Sequence, residues 1–194
     1  MRWFTSDLHI GHRLVAGIRG FTGADGEPDT SAHNASLADM WDGTVNAQDI
    51  VYILGDIALR ATEETFNWID ARAGRKILVA GNHDAVAGFH SSASREQRRW
   101  LEHFESIHDF LNLKINGRRV ALSHYPYAGE GAREGVERYS QWRLKDLGQP
   151  LLHGHTHGNE VAHGHQYHVG LDAHGLNFVP ESAIALWLNT LEEE

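Results

Sequence analysis

Short apolar runs that end in polar residues divide the first half of the chain into strands. Residues 2–6 alternate between polar and apolar side chains, whereas residues 50–54 and 76–80 are nearly continuous apolar runs. A continuous apolar run of this length is typical of a strand that is buried on both faces, as in a parallel sheet. The pattern therefore predicts three strands at these positions.

Between these strands, apolar residues recur at helical spacing. Leu37, Met40 and Trp41 follow Ser31, which is predicted to cap a helix, and residues 61–73 carry an apolar face of the same kind. A third helix is predicted after Ser94, because residues 94–97 have the spacing of a capping box. A last helix is predicted over residues 181–191.

The second half of the chain is predicted to be rich in strands. Residues 106–115 and 118–123 flank an Asn-Gly pair and predict a β-hairpin with a two-residue turn. Further strands are predicted within residues 151–158 and 166–172, and residues 127–140 predict a long loop. The order of elements indicates one α/β domain over residues 1–194, with a parallel first half.

Composition excludes several classes of protein. The 194 residues are 41% hydrophobic, which is enough for one buried core, and the net charge of −9 argues against a stable complex with nucleic acid. The chain has no apolar run near the ~18 residues that cross a membrane, and its first residues do not form a signal peptide. We therefore expect a cytoplasmic protein with no membrane partner. Its 15 histidines and absence of cysteine predict a site built from imidazole and oxygen ligands.

Polar residues able to bind metal follow each of five predicted strands. They are Asp7-Leu8-His9, Gly55-Asp56, Gly81-Asn82-His83-Asp84, Ser123-His124-Tyr125-Pro126 and Gly154-His155-Thr156-His157. Sites in open α/β sheets form at the carboxyl ends of strands, so these clusters are expected to converge. Residues two apart on an extended segment point to the same side, so Asp7 with His9 can present two ligands together.

The order of these motifs resembles that of the calcineurin-like metallophosphoesterase family, especially its small single-domain bacterial and phage members. The resemblance spans residues 4–157, and the Val-Gly-Leu-Asp segment at residues 169–172 is similar as well. It implies an α/β fold in which two mixed β-sheets form a sandwich flanked by helices. It also implies a centre that contains two metal ions.

The ligand set follows from the resemblance. One ion would be held by Asp7, His9, Asp56 and His157, and a second by Asp56, Asn82, His124 and His155, with Asp56 shared. This mixture of nitrogen and oxygen ligands suits Mn, with Fe, Zn, Co or Ni as alternatives, better than Ca or Mg. The positive charge of two dications exceeds the negative charge of two carboxylates and a bridging hydroxide, which leaves a net charge of about +1. The centre is therefore expected to attract a phosphate ester.

The resemblance also assigns catalytic roles to His83 and Asp84. In the family, the position of His83 lies beside the scissile phosphate, where it stabilises the transition state or protonates the leaving oxygen. Asp84 is expected to orient the His83 imidazole.

Several neighbouring residues have both a structural and a functional interpretation. Six of them lie close to the motifs or carry a charge suited to phosphate: His12, His33, Asn34, Arg13, Arg19 and Arg133. The three histidine and asparagine side chains are candidates to support the site or bind substrate, with a structural role at least as well favoured. The three arginines are candidate phosphate-binding groups, but exposure to solvent is the main expectation for each. His153 is expected to be buried and hydrogen-bonded, and His163 with His165 to lie outside the site.

The expected function is hydrolysis of small phosphodiesters, such as cyclic nucleotides, through a hydroxide that bridges two metal ions. The absence of an accessory domain and the acidic balance favour a small substrate. The alternatives are a phosphomonoesterase or nucleotidase, or a nuclease, of the same fold. A non-catalytic scaffold with this fold is the alternative from another class. The sequence leaves the native substrate and the oligomeric state open.

Overall fold

The computed structural model describes residues 1–129 and 138–191, which form two five-stranded β-sheets. The strands of the first sheet are β1 (Arg2–Thr5), β2 (Ile50–Ile53), β3 (Arg75–Val79), β4 (Ser106–His108) and β10 (Val179–Pro180). Those of the second are β5 (Phe110–Ile115), β6 (Arg118–Ser123), β7 (Leu151–His153), β8 (Ala162–His163) and β9 (Gln166–His168). The strand orders are β10-β1-β2-β3-β4 and β5-β6-β7-β9-β8.

Both sheets are mixed, as the fold class requires. Strands β1 to β4 are parallel, which confirms the prediction for the first half of the chain, and β10 runs antiparallel to β1 at the edge. In the second sheet β6, β7 and β9 are parallel, whereas β5 and β8 pair antiparallel with their neighbours. The architecture is the predicted sandwich of two mixed sheets with helices.

Five helices accompany the sheets in the described residues: α1 (Arg13–Ile18), α2 (Thr30–Thr44), α3 (Glu63–Asp70), α4 (Ala93–Trp100) and α5 (Glu181–Leu188). The sequence pattern did not predict the short α1. The capping box expected at Ser94 is wrong, because α4 begins at Ala93 and Ser94 lies inside its first turn. A capping box does form on α3, where the Thr62 hydroxyl accepts a hydrogen bond from the backbone N–H of Thr65.

The first sheet is buried on both faces, which explains its continuous apolar strands. Val51 and Ile53 point to a core shared with α2, α3 and α4. Tyr52 and Leu54 point the other way, into a second core that contains side chains of the second sheet and of α5. Because successive residues of a strand face opposite sides, β2 contributes to both cores at once.

The predicted hairpin needs one correction. Residues 106–115 are not one strand, because β4 joins the first sheet and β5 joins the second, so the chain changes sheets at Asp109. The Asp109 carboxylate accepts a hydrogen bond of 2.7 Å from the backbone N–H of Gly88, which holds the crossing point. The two-residue turn is confirmed: Asn116 and Gly117 both have positive φ, as a tight hairpin requires.

The predicted loop over residues 127–140 is only partly described. Its last residue begins a short 3₁₀ helix (Ser140–Trp142), and residues 130–137, with Arg133, lie outside the described residues. Within the described ranges, none of the helices combines the length and apolar character needed to cross a membrane.

Candidate metal centre

The carboxyl ends of five strands bring the predicted ligands together. Two groups of three residues offer ligand atoms that all lie within 4.8 Å of one another: Asp7, His9 and His157, and Asp7, Asp56 and His124. These residues follow β1, β2, β6 and β7, which belong to both sheets. The centre therefore lies where the two sheets meet.

In the first group, the ring nitrogens point at one another. The Nε2 atoms of His9 and His157 lie 3.1 Å apart, and they lie 3.9 Å and 3.8 Å, respectively, from Asp7 Oδ1. The other ring nitrogen of His9, Nδ1, is buried and has no hydrogen-bond partner among the described residues. Two imidazole nitrogens and a carboxylate oxygen aimed at one point are a set of donors that fits a divalent metal ion.

The second group adds an amide oxygen. His124 Nε2 lies 3.5 Å from Asp56 Oδ2, 3.1 Å from Asn82 Oδ1 and 3.2 Å from His155 Nδ1. His124, His155 and Asp56 are all buried. This mixed set of nitrogen and oxygen donors also fits a divalent metal ion.

Both carboxylates lie between the groups. Asp56 Oδ2 is 3.9 Å from His9 Nε2 and 3.5 Å from His124 Nε2, so one oxygen faces a ring of each group. Asp7 also belongs to both groups, but its Oδ2 accepts hydrogen bonds from the Ser6 hydroxyl and the His155 backbone N–H. The oxygen of Asp56 is therefore better placed to be shared.

The backbone that presents these side chains is strained. Asp7, His9, Asp56, His155 and His157 all have φ between 49° and 72°, in the left-handed region. A non-glycine residue in this region costs of order 1–3 kcal/mol, and such residues cluster at functional sites. Five such residues converge on one centre. Packing elsewhere in the fold therefore compensates for the local strain that accompanies the orientation of these ligands.

Two glycines allow the backbone to approach the carboxylates. A Cβ atom on Gly81 would lie 2.3 Å from Asp56 Oδ1, and a Cβ atom on Gly154 would lie 2.1 Å from Ser6 Oγ and 2.6 Å from Asp7 Oδ2. Any side chain at these positions would displace the carboxylates. This close approach explains the glycine that precedes each motif, Asn82-His83-Asp84 and His155-Thr156-His157.

Burial keeps two of the imidazoles neutral. Desolvation lowers the pKa of His9 well below its ordinary value, although the nearby Asp7 opposes the shift. Desolvation and the neighbouring His124 lower the pKa of His155 to about 2. Metal ligation requires an unprotonated ring nitrogen, so both side chains are held in the form that can bind a metal ion.

Hydrogen bonds on the far side of two rings fix their orientation. The Nδ1–H of His124 donates to the carbonyl of Leu54 at 2.7 Å, and the Nδ1–H of His157 donates to Asp172 Oδ2 at 2.7 Å. Each bond uses Nδ1 and leaves Nε2 directed to the centre. Such outer contacts are typical of histidine metal ligands. Although burial opposes the shift, the charge of Asp56 raises the pKa of His124, and the bond to Asp172 raises that of His157. A metal ion would therefore displace a proton that is more readily held here than on His9 or His155.

Arg19 supports the centre from behind, and the expectation that it is exposed is wrong. Its side chain is 2% exposed and donates two hydrogen bonds, of 2.8 Å and 2.9 Å, to the carboxylate of Asp172. It also donates to the carbonyls of Asp7 and Leu8 and to His33 Nε2. Its N–H groups are thus used within the protein, which argues against the candidate role of Arg19 as a phosphate-binding group.

Asp84 has contacts that differ from those expected. Its buried carboxylate accepts hydrogen bonds from the backbone N–H groups of Asp56, Ile57 and Gly81, at 2.8–3.2 Å. Desolvation and the charge of Asp56 raise the pKa of Asp84 to about 7. The Asp84 carboxylate thus stabilises the backbone of the loop that carries Asp56. Among the described residues it has no hydrogen bond to the His83 ring.

His83 lies at the solvent side of the centre. Its side chain is 35% exposed, and its Nε2 lies 3.9 Å from Asp56 Oδ2. Its backbone N–H donates to Asp56 Oδ1 at 2.9 Å, which holds the residue beside this carboxylate. The ring is thus adjacent to the candidate ligands and open to a substrate.

The other residues near the first motif have structural contacts. His12 Nδ1 accepts a hydrogen bond from the backbone of α1, and Asn34 Oδ1 accepts one from the Gly11 N–H. His33 is buried against Phe21. Arg13 is largely exposed and pairs with Glu27.

The additional histidines of the last motif lie away from the candidate ligands. His153 is buried, and its Nδ1–H donates to the carbonyl of Gly154, while its ring stacks on His168. His163 is 75% exposed, and its nearest ionic contact is Glu160. His165 lies near Asp146.

Three supporting residues were not singled out as part of the site by sequence reasoning. Asp172 belongs to the Val-Gly-Leu-Asp segment that the sequence analysis noted, so that segment was the available signal. Arg138 and Arg143 lie close enough to His155 for their charges to lower its pKa, and no motif marks them. Both follow the stretch that lies outside the described residues.

Comparisons with known proteins agree with this geometry. The family model described as calcineurin-like phosphoesterase superfamily domain matches residues 4–171. The "Gene 66 protein" of Mycobacterium phage D29 is 39% identical over 98% of this chain and 97% of its own length. That of Mycobacterium phage L5 is 38% identical over 99% and 96%. A solved protein of unknown function from Aquifex aeolicus shares the fold, with a TM-score of 0.70, 22% identity and coverage of 96% of this chain and 98% of that one.

Proposed function

The chain belongs to the calcineurin-like phosphoesterase superfamily, whose members are metal-dependent phosphoesterases, and we propose that it is a phosphodiesterase acting on small phosphodiesters such as cyclic nucleotides. The observation that carries the proposal is the convergence of the candidate ligands at the ends of five strands. His83 lies beside them and is accessible to solvent. We further propose that the whole chain is one phosphoesterase domain.

We propose the following division of the ligands. Asp7, His9, Asp56 and His157 would hold one divalent ion, and Asp56, Asn82, His124 and His155 would hold the other. When bound, the ions supply an activated water and positive charge for the phosphoryl oxygens. Mn is the metal we favour, because the donors combine imidazole nitrogens with carboxylate and amide oxygens.

The chain's own residues position the substrate and the leaving group. The shared carboxylate of Asp56 and the backbone bond from His83 keep the His83 ring at the edge of the centre. A ring at this place can donate a proton from Nε2 to the oxygen that departs from phosphorus. Asp84 contributes indirectly, by bracing the backbone of Asp56 and Gly81.

The preference for diesters follows from the charge that the site offers. Arg19 is committed to Asp172, and Arg13 is paired with Glu27. A diester carries one negative charge, so it needs fewer additional cations than a dianionic monoester. The alternative, a phosphomonoesterase, is favoured by Arg138 and Arg143 beside His155.

A substrate comparison tests this preference. With Mn-loaded protein, kcat/KM for adenosine 2′,3′-cyclic phosphate and for bis-p-nitrophenyl phosphate should exceed that for p-nitrophenyl phosphate. If the monoester is better by tenfold or more, the protein is a monoesterase, and Arg138 and Arg143 are the first residues to replace. Failure to hydrolyse any of the three would contradict the enzymatic proposal itself and favour a binding role.

Replacing His83 tests its part in the reaction. His83→Ala should retain both metal ions but reduce turnover by roughly 10²–10⁴-fold if the ring acts as a general acid. The loss should be smaller for p-nitrophenyl esters than for alkyl esters, because a good leaving group needs less protonation. Steady-state kinetics and elemental analysis measure both effects. An equal loss for all leaving groups would instead assign the ring to stabilising transition-state charge, and no loss would remove it from the mechanism.

A further inference from the structure

A cavity of about 350 Å³ lies beside the candidate metal centre. Residues that follow β3 and β6 form part of its wall, and the crossing point between the sheets at Asp109 forms another part. Gln141 and Trp142 of the 3₁₀ helix (Ser140–Trp142) line it as well. Its volume falls at the lower end of the ~300–1,000 Å³ range of sites for small molecules.

Tyr125 connects this cavity to the metal centre. Its ring lines the cavity, and its centroid lies 5.1 Å from the rings of both His124 and His155. The side chain is 4% exposed, and its hydroxyl has no hydrogen-bond partner among the described residues. Buried hydroxyl groups are nearly always hydrogen-bonded, so this hydroxyl is available to pair with water or with a ligand in the cavity.

Aromatic side chains make up much of the lining. The rings of Phe89 and Trp142 are stacked, with centroids 5.2 Å apart and planes inclined by 27°. Trp142 is 47% exposed and Phe110 is 56% exposed, although both are large and apolar. Exposed aromatic side chains grouped around one cavity mark a binding site rather than a core, and their faces suit a planar ring.

Two polar side chains of the lining favour a particular kind of ring. The carboxylate of Asp109 only accepts hydrogen bonds, and the bond from Gly88 fixes its orientation. Gln141 adds an amide that can both donate and accept. A heteroaromatic ring that carries N–H groups and ring nitrogens satisfies these side chains, whereas a plain hydrocarbon ring would leave them unpaired.

We propose that this cavity binds the nucleobase of a nucleotide substrate while its phosphodiester lies at the metal centre. The proposal rests on the proposed function and specifies its substrate class as nucleotides rather than simple alkyl or sugar phosphodiesters. The base would lie against Trp142, with its polar edge at Asp109 and the ribose near Tyr125. Binding energy gained away from phosphorus would then position the ester for attack.

A matched pair of substrates tests the proposal in the metal-loaded protein. Adenosine 2′,3′-cyclic phosphate and methyl β-D-ribofuranoside 2,3-cyclic phosphate have the same reacting group, and the second carries a methoxy group in place of the base. We expect kcat/KM to favour the nucleotide, and Trp142→Ala to reduce this preference by at least about fivefold, since stacking on one aromatic side chain contributes about 1–3 kcal/mol. Leu186→Ala removes an apolar side chain of α5 that is more exposed than Trp142 and does not line the cavity, so it should retain the wild-type preference. An equal kcat/KM for the two esters in the wild-type protein would overturn the proposal.

A binding measurement separates this proposal from the proposed function. In saturation-transfer NMR, the H2 and H8 protons of adenosine should receive saturation from the wild-type protein, and the signal should fall in Trp142→Ala but not in Leu186→Ala. Base binding without hydrolysis of either cyclic phosphate would contradict the phosphodiesterase and leave the nucleobase site standing. Hydrolysis without transfer to the base protons, or transfer unaffected by Trp142→Ala, would contradict the nucleobase site alone.

Discussion

An Asp56→Asn variant is expected to lose most of its bound metal and to hydrolyse phosphate esters at least about 100-fold more slowly. The reason is the position of Oδ2, which lies 3.5 Å from His124 Nε2 and 3.9 Å from His9 Nε2. Asparagine keeps the shape of the side chain but removes a negative charge that would serve both ions. Since altering a residue one layer behind a ligand typically costs 10–100-fold in metal affinity or activity, loss of a shared ligand should cost more. Elemental analysis and turnover of bis-p-nitrophenyl phosphate measure the two effects.

Two comparisons make the result specific. His163→Ala should leave the metal content at the wild-type value, because this ring is 75% exposed and faces Glu160 instead of the centre. Asp7→Asn should mainly weaken the ion nearer His9 and His157, because the second oxygen of Asp7 already accepts hydrogen bonds from Ser6 and the His155 backbone. If Asp7→Asn loses both ions and Asp56→Asn only one, the shared ligand is Asp7. Two retained ions with wild-type turnover in Asp56→Asn would contradict the assignment altogether.

Strands β1, β2 and β3 and the grouping of the candidate ligands were predictable, because both are local in the sequence. Residues 50–54 and 76–80 are apolar because β2 and β3 are buried on both faces, and the polar motif follows each run directly. Because β2 and β3 are parallel neighbours, their carboxyl ends and the motifs that follow them lie at the same edge of the sheet. The family resemblance supplied the remaining order of the motifs.

Other features depend on contacts between distant segments, which no local pattern reveals. Arg19 and Asp172 are separated by 153 positions, so nothing near Arg19 in the sequence indicates that it is buried in an ion pair. The change of sheet at Asp109 interrupts an otherwise continuous strand pattern, because pairing partners decide which sheet a strand joins. Asp84 follows His83 directly, yet its carboxylate turns to backbone N–H groups that only the folded chain places there.

An Arg19→Met variant is expected to lower the free energy of unfolding by about 3–5 kcal/mol, which is the usual cost of leaving one partner of a buried ion pair alone. Arg19 is 2% exposed and Asp172 is 12% exposed. Although burial raises the pKa of Asp172, hydrogen bonds from Arg19 and His157 hold it below its ordinary value, so the carboxylate stays charged. Without the guanidinium, this charge loses two of its donors and keeps the bond from His157, and the carbonyls of Asp7 and Leu8 lose the donors that Arg19 supplies. Urea unfolding of the metal-free protein measures the change.

Arg13→Met is the matched control, because Arg13 also pairs with a carboxylate but is 64% exposed. Exposed pairs contribute little, so this variant should change the free energy of unfolding by no more than about 0.5 kcal/mol. In a double variant, Arg19→Met with Asp172→Asn, removing the unpaired charge should restore part of the stability. Metal affinity should nevertheless remain about 10–100-fold below wild type, because the bond that orients His157 is weakened. Equal stability of Arg19→Met and Arg13→Met would show that the buried pair does not stabilise the fold. Wild-type metal affinity in the double variant would show that the pair does not position His157.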